Sequence, residues 1–254
     1  MALIPMRLIT LPISHYCDKA RWALDRQGLS YIEEGHAPLL HVLATLPVTG
    51  LRSRTVPILI DENPGQRHVV ADSTEILRYL ERRYAAGWLF APPEAAALEH
   101  ELDTQLGPHS RRLVYFHLLP QTEFISQRLA LGVPKLEATI AGALFPAIRA
   151  LMRRGMKINP DSAARSLAKV EAVFARIDER LRDGRRYLCG DALSAADLTF
   201  ACLSAPVVMP QNYGTAPLPE LAELPRGLVA LVERFRATAA GQLALRLYAE
   251  DRRR

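Results

Sequence analysis

Two kinds of periodicity divide this chain near residue 90. Before that point, short apolar runs alternate with helical stretches. Beyond it, nearly every patterned segment repeats at helical spacing. No single uniform architecture satisfies both halves. The first needs a small sheet with helices against it, and the second a helical bundle. Arg7 to Ile13 predicts a strand. Ser14 to Arg26 predicts a helix, with Ala20, Ala23, Leu24 and Gln27 at helical spacing and Gly28 ending it. Tyr31 to Glu34 predicts a weaker strand, while His36 to Thr49 is ambiguous because Pro38 and Pro47 fragment any helix. Val56 to Asp61 predicts a short buried strand, residues 63–65 (Asn-Pro-Gly) a turn, and Arg67 to Val70 a strand at hairpin distance. Asp72 to Tyr84 predicts a helix with Ile76, Leu77 and Leu80 on one face. The order is βαβ, then a β-hairpin, then α.

After Pro92 the segments Glu94 to Leu106, Arg111 to Leu119, Thr122 to Leu131 and Leu136 to Arg154 predict helices. Ser162 to Arg182 is strongly amphipathic, with Leu167, Val170, Phe174, Ile177 and Leu181 three or four apart. Ser194 to Ala205 and Leu224 to Ala237 follow. The expected organisation is an α/β domain over 1–86, a linker over 87–93 where the composition breaks, and an all-helical domain over 94–254.

Composition narrows the class. The 254 residues are 49% hydrophobic and 23% charged, which argues against disordered or collagen-like chains. The three cysteines, Cys17, Cys189 and Cys202, form neither a CxxC pair nor a zinc spacing, so no metal and a reducing cytoplasm are expected. Cys189 and Cys202 read as buried small hydrophobes. The net charge of +5 is uneven. Residues 1–91 carry 10 basic and 9 acidic groups, the remainder 22 and 18. Part of the excess is Arg252-Arg253-Arg254, expected as a solvated tail. No basic stripe interleaved with aromatics stands out, so nucleic acid is not expected as a partner. No membrane span is expected either. The apolar stretch from Ile140 to Ile148 is broken by Pro146 and falls short of the roughly 20 residues a span needs.

Four short motifs can carry chemistry or structure. Ser14-His15-Tyr16-Cys17 opens the first helix. Ser14 can be a plain N-cap, or it can donate to a thiolate bound at the helix N-terminus, where partial positive charge favours anions. Cys17 can itself be that thiolate, or it can face the core. Val56-Pro57 precedes an apolar run. Its proline must lie at a strand start, and a cis bond there would expose the Val56 backbone to a ligand. Asp72-Ser73 can cap a helix, or Ser73 can hold a carboxylate and Asp72 an ammonium. Ser194 and Asp197 have capping-box spacing, with Leu193 and Leu198 at staple positions, and this motif is structural.

In this order and spacing the four motifs resemble the cytosolic glutathione S-transferase superfamily, over essentially the whole chain. The resemblance implies a thioredoxin-like N-terminal domain (βαβ-ββα) followed by an all-helical C-terminal domain. It implies glutathione as co-substrate, a small hydrophobic electrophile and a homodimer. Ser14 falls where theta- and zeta-like members carry the serine that activates glutathione, and omega-type members place a reactive cysteine at that same position. Val56 matches the residue whose backbone pairs with the cysteinyl part, and Pro57 the cis-proline. Asp72 and Ser73 match the pair gripping the γ-glutamyl group, and Arg54, with Arg52 as second candidate, the basic residue on the glycyl carboxylate. His15, Tyr16, Tyr115, Phe116 and Met152 are candidates for the electrophile site. The implied reaction is thiolate attack on the electrophile. The alternatives are a Cys17-dependent glutathione thiol transferase or reductase, and a non-catalytic binding module.

Overall fold

The strands that read as uninterrupted apolar runs take the centre of the sheet. The computed structural model describes residues 6–62 and 65–252. Strands β1 (Met6–Thr10) and β3 (Ile58–Asp61) are almost wholly buried, while β2 (Tyr31–Gly35) and β4 (His68–Ala71) are more exposed. The order is β2-β1-β3-β4. β1 and β2 run parallel, whereas β1 with β3 and β3 with β4 run antiparallel. Charged Glu33 and Glu34 on β2 suit an edge, where they discourage further strand pairing.

The period of two sorts the side chains between the faces. Leu8 and Leu59 join Trp22, Ala23, Ile76, Leu77 and Leu80 on the face covered by α1 (His15–Arg26) and α3 (Ser73–Arg83). Ile9, Ile58 and Ile60 face the other way, onto Ala44 and Val48 of α2 (His41–Val48). That helix resolves the ambiguous stretch: it begins after Pro38 and carries Pro47 only in its last turn. The Asn63 and Pro64 part of the predicted turn lies outside the described residues.

The remaining elements are helical: α4 (Ala95–Gln105), α5 (Gly107–Leu118), α6 (Thr122–Leu129), α7 (Lys135–Ala143), α8 (Phe145–Gly155), α9 (Pro160–Arg180), α10 (Ala195–Val208), α11 (Arg226–Arg236) and α12 (Ala239–Arg246). The single helix expected over Leu136 to Arg154 is two. Pro146 sits in the first turn of α8, where its missing N–H costs nothing. Pro108 has the same role in α5, which starts four residues before the predicted Arg111. A Cβ on Gly107 would lie 2.2 Å from the Tyr16 hydroxyl oxygen, so a larger residue there would displace the Tyr16 ring. α10 is buried on every side and forms the axis of the helical domain, as an apolar helix must. α12 was not read from the periodicity; Thr238 Oγ1 caps it by accepting from Gly241 N–H at 2.9 Å.

The capping box holds α10 in register. Asp197 Oδ2 accepts from Ser194 N–H at 3.0 Å and from Ser194 Oγ at 2.8 Å, and Oδ1 accepts from Leu188 N–H at 2.6 Å. Ala195 N–H donates to Leu89 O at 2.7 Å, which fastens the segment between α3 and α4 to the same helix end. The expected solvated tail needs correction. Arg252 is only 7% exposed and pairs with Asp25 and Asp18 of α1. Arg253 and Arg254 lie outside the described residues.

Candidate functional site

The chain leaves β1 at Thr10 and re-enters helix at His15, and Ser14 is the hinge between them. Its backbone is extended (φ −74°, ψ 124°), and its Oγ accepts from Cys17 N–H at 3.4 Å. Ser14 therefore caps α1. It also lines a cleft of about 240 Å³ between the two domains. The near wall comes from the β1–α1 loop and α2, and the far wall from α5, α6, α8 and the loop after α10. The lining is predominantly apolar, with Ile13, Val114, Leu118, Phe124, Met152 and Met156 among its residues.

The first-turn neighbours of Ser14 part company. His15 lines the cleft, is buried, and donates from Nε2 to Gly107 O at 3.1 Å. Burial, then the nearby Arg111 cation, pushes its pKa down to about 3, so the ring is neutral. Tyr16 turns instead toward α4, its hydroxyl donating to Asp103 O at 3.2 Å. Cys17 faces the core with 0% exposure, and burial pushes its thiol pKa up. Of the expected electrophile contacts, His15, Tyr115 and Met152 are in the cleft wall. Tyr16 and Phe116 are not: Tyr16 is spent bridging the domains, and Phe116 packs against the core with its ring 5.3 Å from His117. Cys202 is buried as expected, but Cys189 is half-buried at the surface side of the capping region.

The second cluster lies at the ends of β3 and β4. Val56–Pro57 is a cis peptide. Pro57 O accepts from Asp72 N–H at 3.2 Å, which sets the start of α3 beside the entrance to β3. Asp72 has φ +84°, and its Oδ1 accepts from Thr74 N–H at 2.8 Å and Glu75 N–H at 3.3 Å. The carboxylate thus caps α3 while remaining exposed. Ser73 is 1% exposed, and its Oγ has no hydrogen-bond partner within the protein. Arg52 and Arg54 are both exposed; the Arg54 carbonyl accepts from His41 Nε2 at 3.0 Å.

Sequence reading missed a polar joint beneath these clusters. Lys19 is fully buried on α1, and its Nζ donates to Thr74 Oγ1 at 3.0 Å, to Asp103 Oδ1 at 2.9 Å and to Glu99. It ties α1 and α3 to α4. The partners lie up to 84 positions away, and no local spacing signals them. Among the described residues no group of three or more His, Cys, Asp or Glu is arranged to hold a metal, and no helix is long and apolar enough to cross a membrane.

Residues 8–90 match the family model for the glutathione S-transferase N-terminal domain, and residues 160–205 the model for its C-terminal domain. The chain belongs to the glutathione S-transferase superfamily. Solved structures of this superfamily share its fold at low identity. Glutathione transferase GSTFuA3 from Phanerochaete chrysosporium is 19% identical, with a TM-score of 0.64 over 98% of this chain and 97% of that one. The glutathione S-transferase CsGST63524 of Ceriporiopsis subvermispora, solved in complex with glutathione, is 16% identical, with a TM-score of 0.62 over 97% of each chain. The theta class glutathione S-transferase from Xanthomonas axonopodis pv. citri, with glutathione bound, is 20% identical, with a TM-score of 0.55 over 95% of this chain and 98% of that one. No curated protein matches the chain in sequence.

Proposed function

We propose that the protein is a glutathione transferase in which Ser14 and the N-terminus of α1 activate the glutathione thiol for attack on an apolar electrophile. The observation that carries this reading is the double position of Ser14, which caps α1 and lines the apolar inter-domain cleft. Because its Oγ accepts from Cys17 N–H, the hydroxyl proton is left to donate outward. Lowering a thiol from about 8.5 to near neutrality takes about 2 kcal/mol. One hydrogen bond to a charged sulfur plus a helix terminus is of that size.

In this reading glutathione lies along the edge formed by Val56, Pro57, Asp72 and Ser73. The Val56 backbone pairs with its cysteinyl part. Ser73, with its buried unpartnered Oγ, holds the γ-glutamyl carboxylate. Asp72 uses one oxygen as the α3 cap and offers the other to the ammonium. Arg54, or Arg52, meets the glycyl carboxylate. The electrophile enters the cleft past Tyr115 and Met152. The burial of Cys17 favours Ser14 over a Cys17-dependent reductase. A homodimer in the cytoplasm belongs to this reading.

The test combines glutathione calorimetry, the ultraviolet absorbance of bound thiolate against pH, and turnover of chlorodinitrobenzene. Ser14→Ala should leave glutathione affinity nearly unchanged, raise the bound thiol's pKa and slow turnover about 10- to 100-fold. Full turnover in Ser14→Ala overturns the serine mechanism. A folded protein that binds no glutathione would instead be the non-catalytic module.

A further inference from the structure

The cleft holds a charge imbalance that its apolar walls make costly. Among the described residues that line it, the only acid or base groups besides two histidines and two tyrosines are Arg111 and Arg128. No Asp or Glu is in the wall. Burial lowers the pKa of both histidines, His15 and His41, so neither adds to nor offsets the charge near neutrality.

The cations that are buried outright each have a carboxylate. Lys19 has Glu99 and Asp103, Arg21 has Glu33, and Arg252 has Asp18 and Asp25. Arg111 is half-buried in the cleft wall and has none. Its Nε, like that of Arg128, is sealed from solvent and has no hydrogen-bond partner, and among the described residues its guanidinium makes no ion pair. It lies over the face of Tyr16, with Cζ 5.9 Å from the ring centre. Arg128 is less isolated, since Glu223 lies 3.6 Å away and the Phe124 ring sits beneath it at 5.6 Å. A guanidinium at an apolar wall is a strong acceptor-seeking group, because its planar fork matches a carboxylate bidentately and the surroundings screen the attraction poorly.

We infer that the molecule this cleft takes beside glutathione has an apolar body and an anionic group, a carboxylate first of all, and that Arg111 grips that group. The inference deepens the function proposed above and rests on it only for calling the molecule a co-substrate. Arg111 and Ser14 line one cleft. The anion supplies the charge partner that the protein withholds, and the apolar body covers the surrounding wall.

Two measurements test it. In calorimetry, naphthoate and the neutral naphthamide are titrated into wild type, Arg111→Met, Arg111→Lys and Arg128→Met, each first shown to be folded by thermal unfolding. Wild type should prefer the acid by about 10-fold or more. Arg111→Met should abolish the preference, and Arg111→Lys should keep part of it. In turnover, chloronitrobenzoate and its methyl ester are compared with glutathione. The acid-to-ester ratio of kcat/KM should fall by a similar factor in Arg111→Met, and taking the ratio between proteins cancels the intrinsic reactivity of the two compounds. Equal binding of acid and amide by wild type overturns the inference, as does a preference that survives Arg111→Met. Loss of the preference only in Arg128→Met overturns the assignment to Arg111. If the ester is turned over but the acid binds no better than the amide, the anion inference fails and the transferase reading stands. If the acid preference depends on Arg111 but neither compound is turned over, the transferase reading fails and the anion site stands.

Discussion

Arg252, the last residue described, donates to Asp25 Oδ2 at 2.6 Å and lies 3.4 Å from Asp18 Oδ1, closing α1 against a residue 234 positions away. Its guanidinium also sits 5.6 Å from the Trp22 ring centre. Asp18 is wholly buried and also accepts from the Tyr248 hydroxyl at 2.6 Å. Arg252 is therefore part of the inter-domain core.

Removing Arg252 should be expensive for that reason. Arg252→Ala leaves the Asp18 carboxylate buried without its cation, and the expected loss is about 3 kcal/mol of unfolding free energy. Urea denaturation measures it. Adding Asp18→Asn to Arg252→Ala should recover part of the loss, because the stranded charge is gone. A surface-tail role would instead leave the denaturation midpoint unmoved.

His15 makes stability depend on pH with a definite sign. Its folded pKa is about 3 against 6.5 when unperturbed, burial being the main cause and the Arg111 cation the next. Below pH 6.5 the unfolded chain takes up a proton that the folded chain refuses until about pH 3. The stabilisation is complete above that window and is lost as pH falls through it. About 2 kcal/mol should disappear between about pH 8 and about pH 5. His15→Gln keeps a donor for Gly107 O and should flatten this part of the curve, measured by urea titrations across the range.

The cysteines should react in the order of their burial. Ellman's reagent should modify Cys189 in the native protein and leave Cys17 and Cys202, both fully buried, until denaturant is added. Cys17→Ala should retain glutathione-dependent turnover. Rapid native labelling of Cys17, or loss of turnover in Cys17→Ala, would revive the reductase reading.

Local patterns carried much of the architecture. β1 and β3 were legible as apolar runs, and the caps Ser14, Asp72 and Ser194–Asp197 were legible because capping joins residues two or three positions apart. Pro146 reads as breaking an apolar stretch but not as opening a second helix, although a proline suits a first helical turn. α12 was missed because Ala239–Arg246 is short, and its burial against α9, α10 and α11 rather than its pattern makes it a helix. Tyr16 and Phe116 stand outside the cleft wall; an aromatic residue near a site reads the same whether it lines a cleft or braces one.

Sequence by itself determined the βαβ-ββα order of the first domain, the capped starts of α1, α3 and α10, and the family, all of which rest on short-range spacing. Only the tertiary structure decided which way Cys17 faces, that Lys19 and Arg252 are buried in ion pairs, and that Arg111 stands in an apolar wall without a carboxylate. The reason is physical. Local hydrogen bonds and periodicity depend on neighbours along the chain, whereas the cost of a buried charge depends on which groups folding brings within a few ångströms of it.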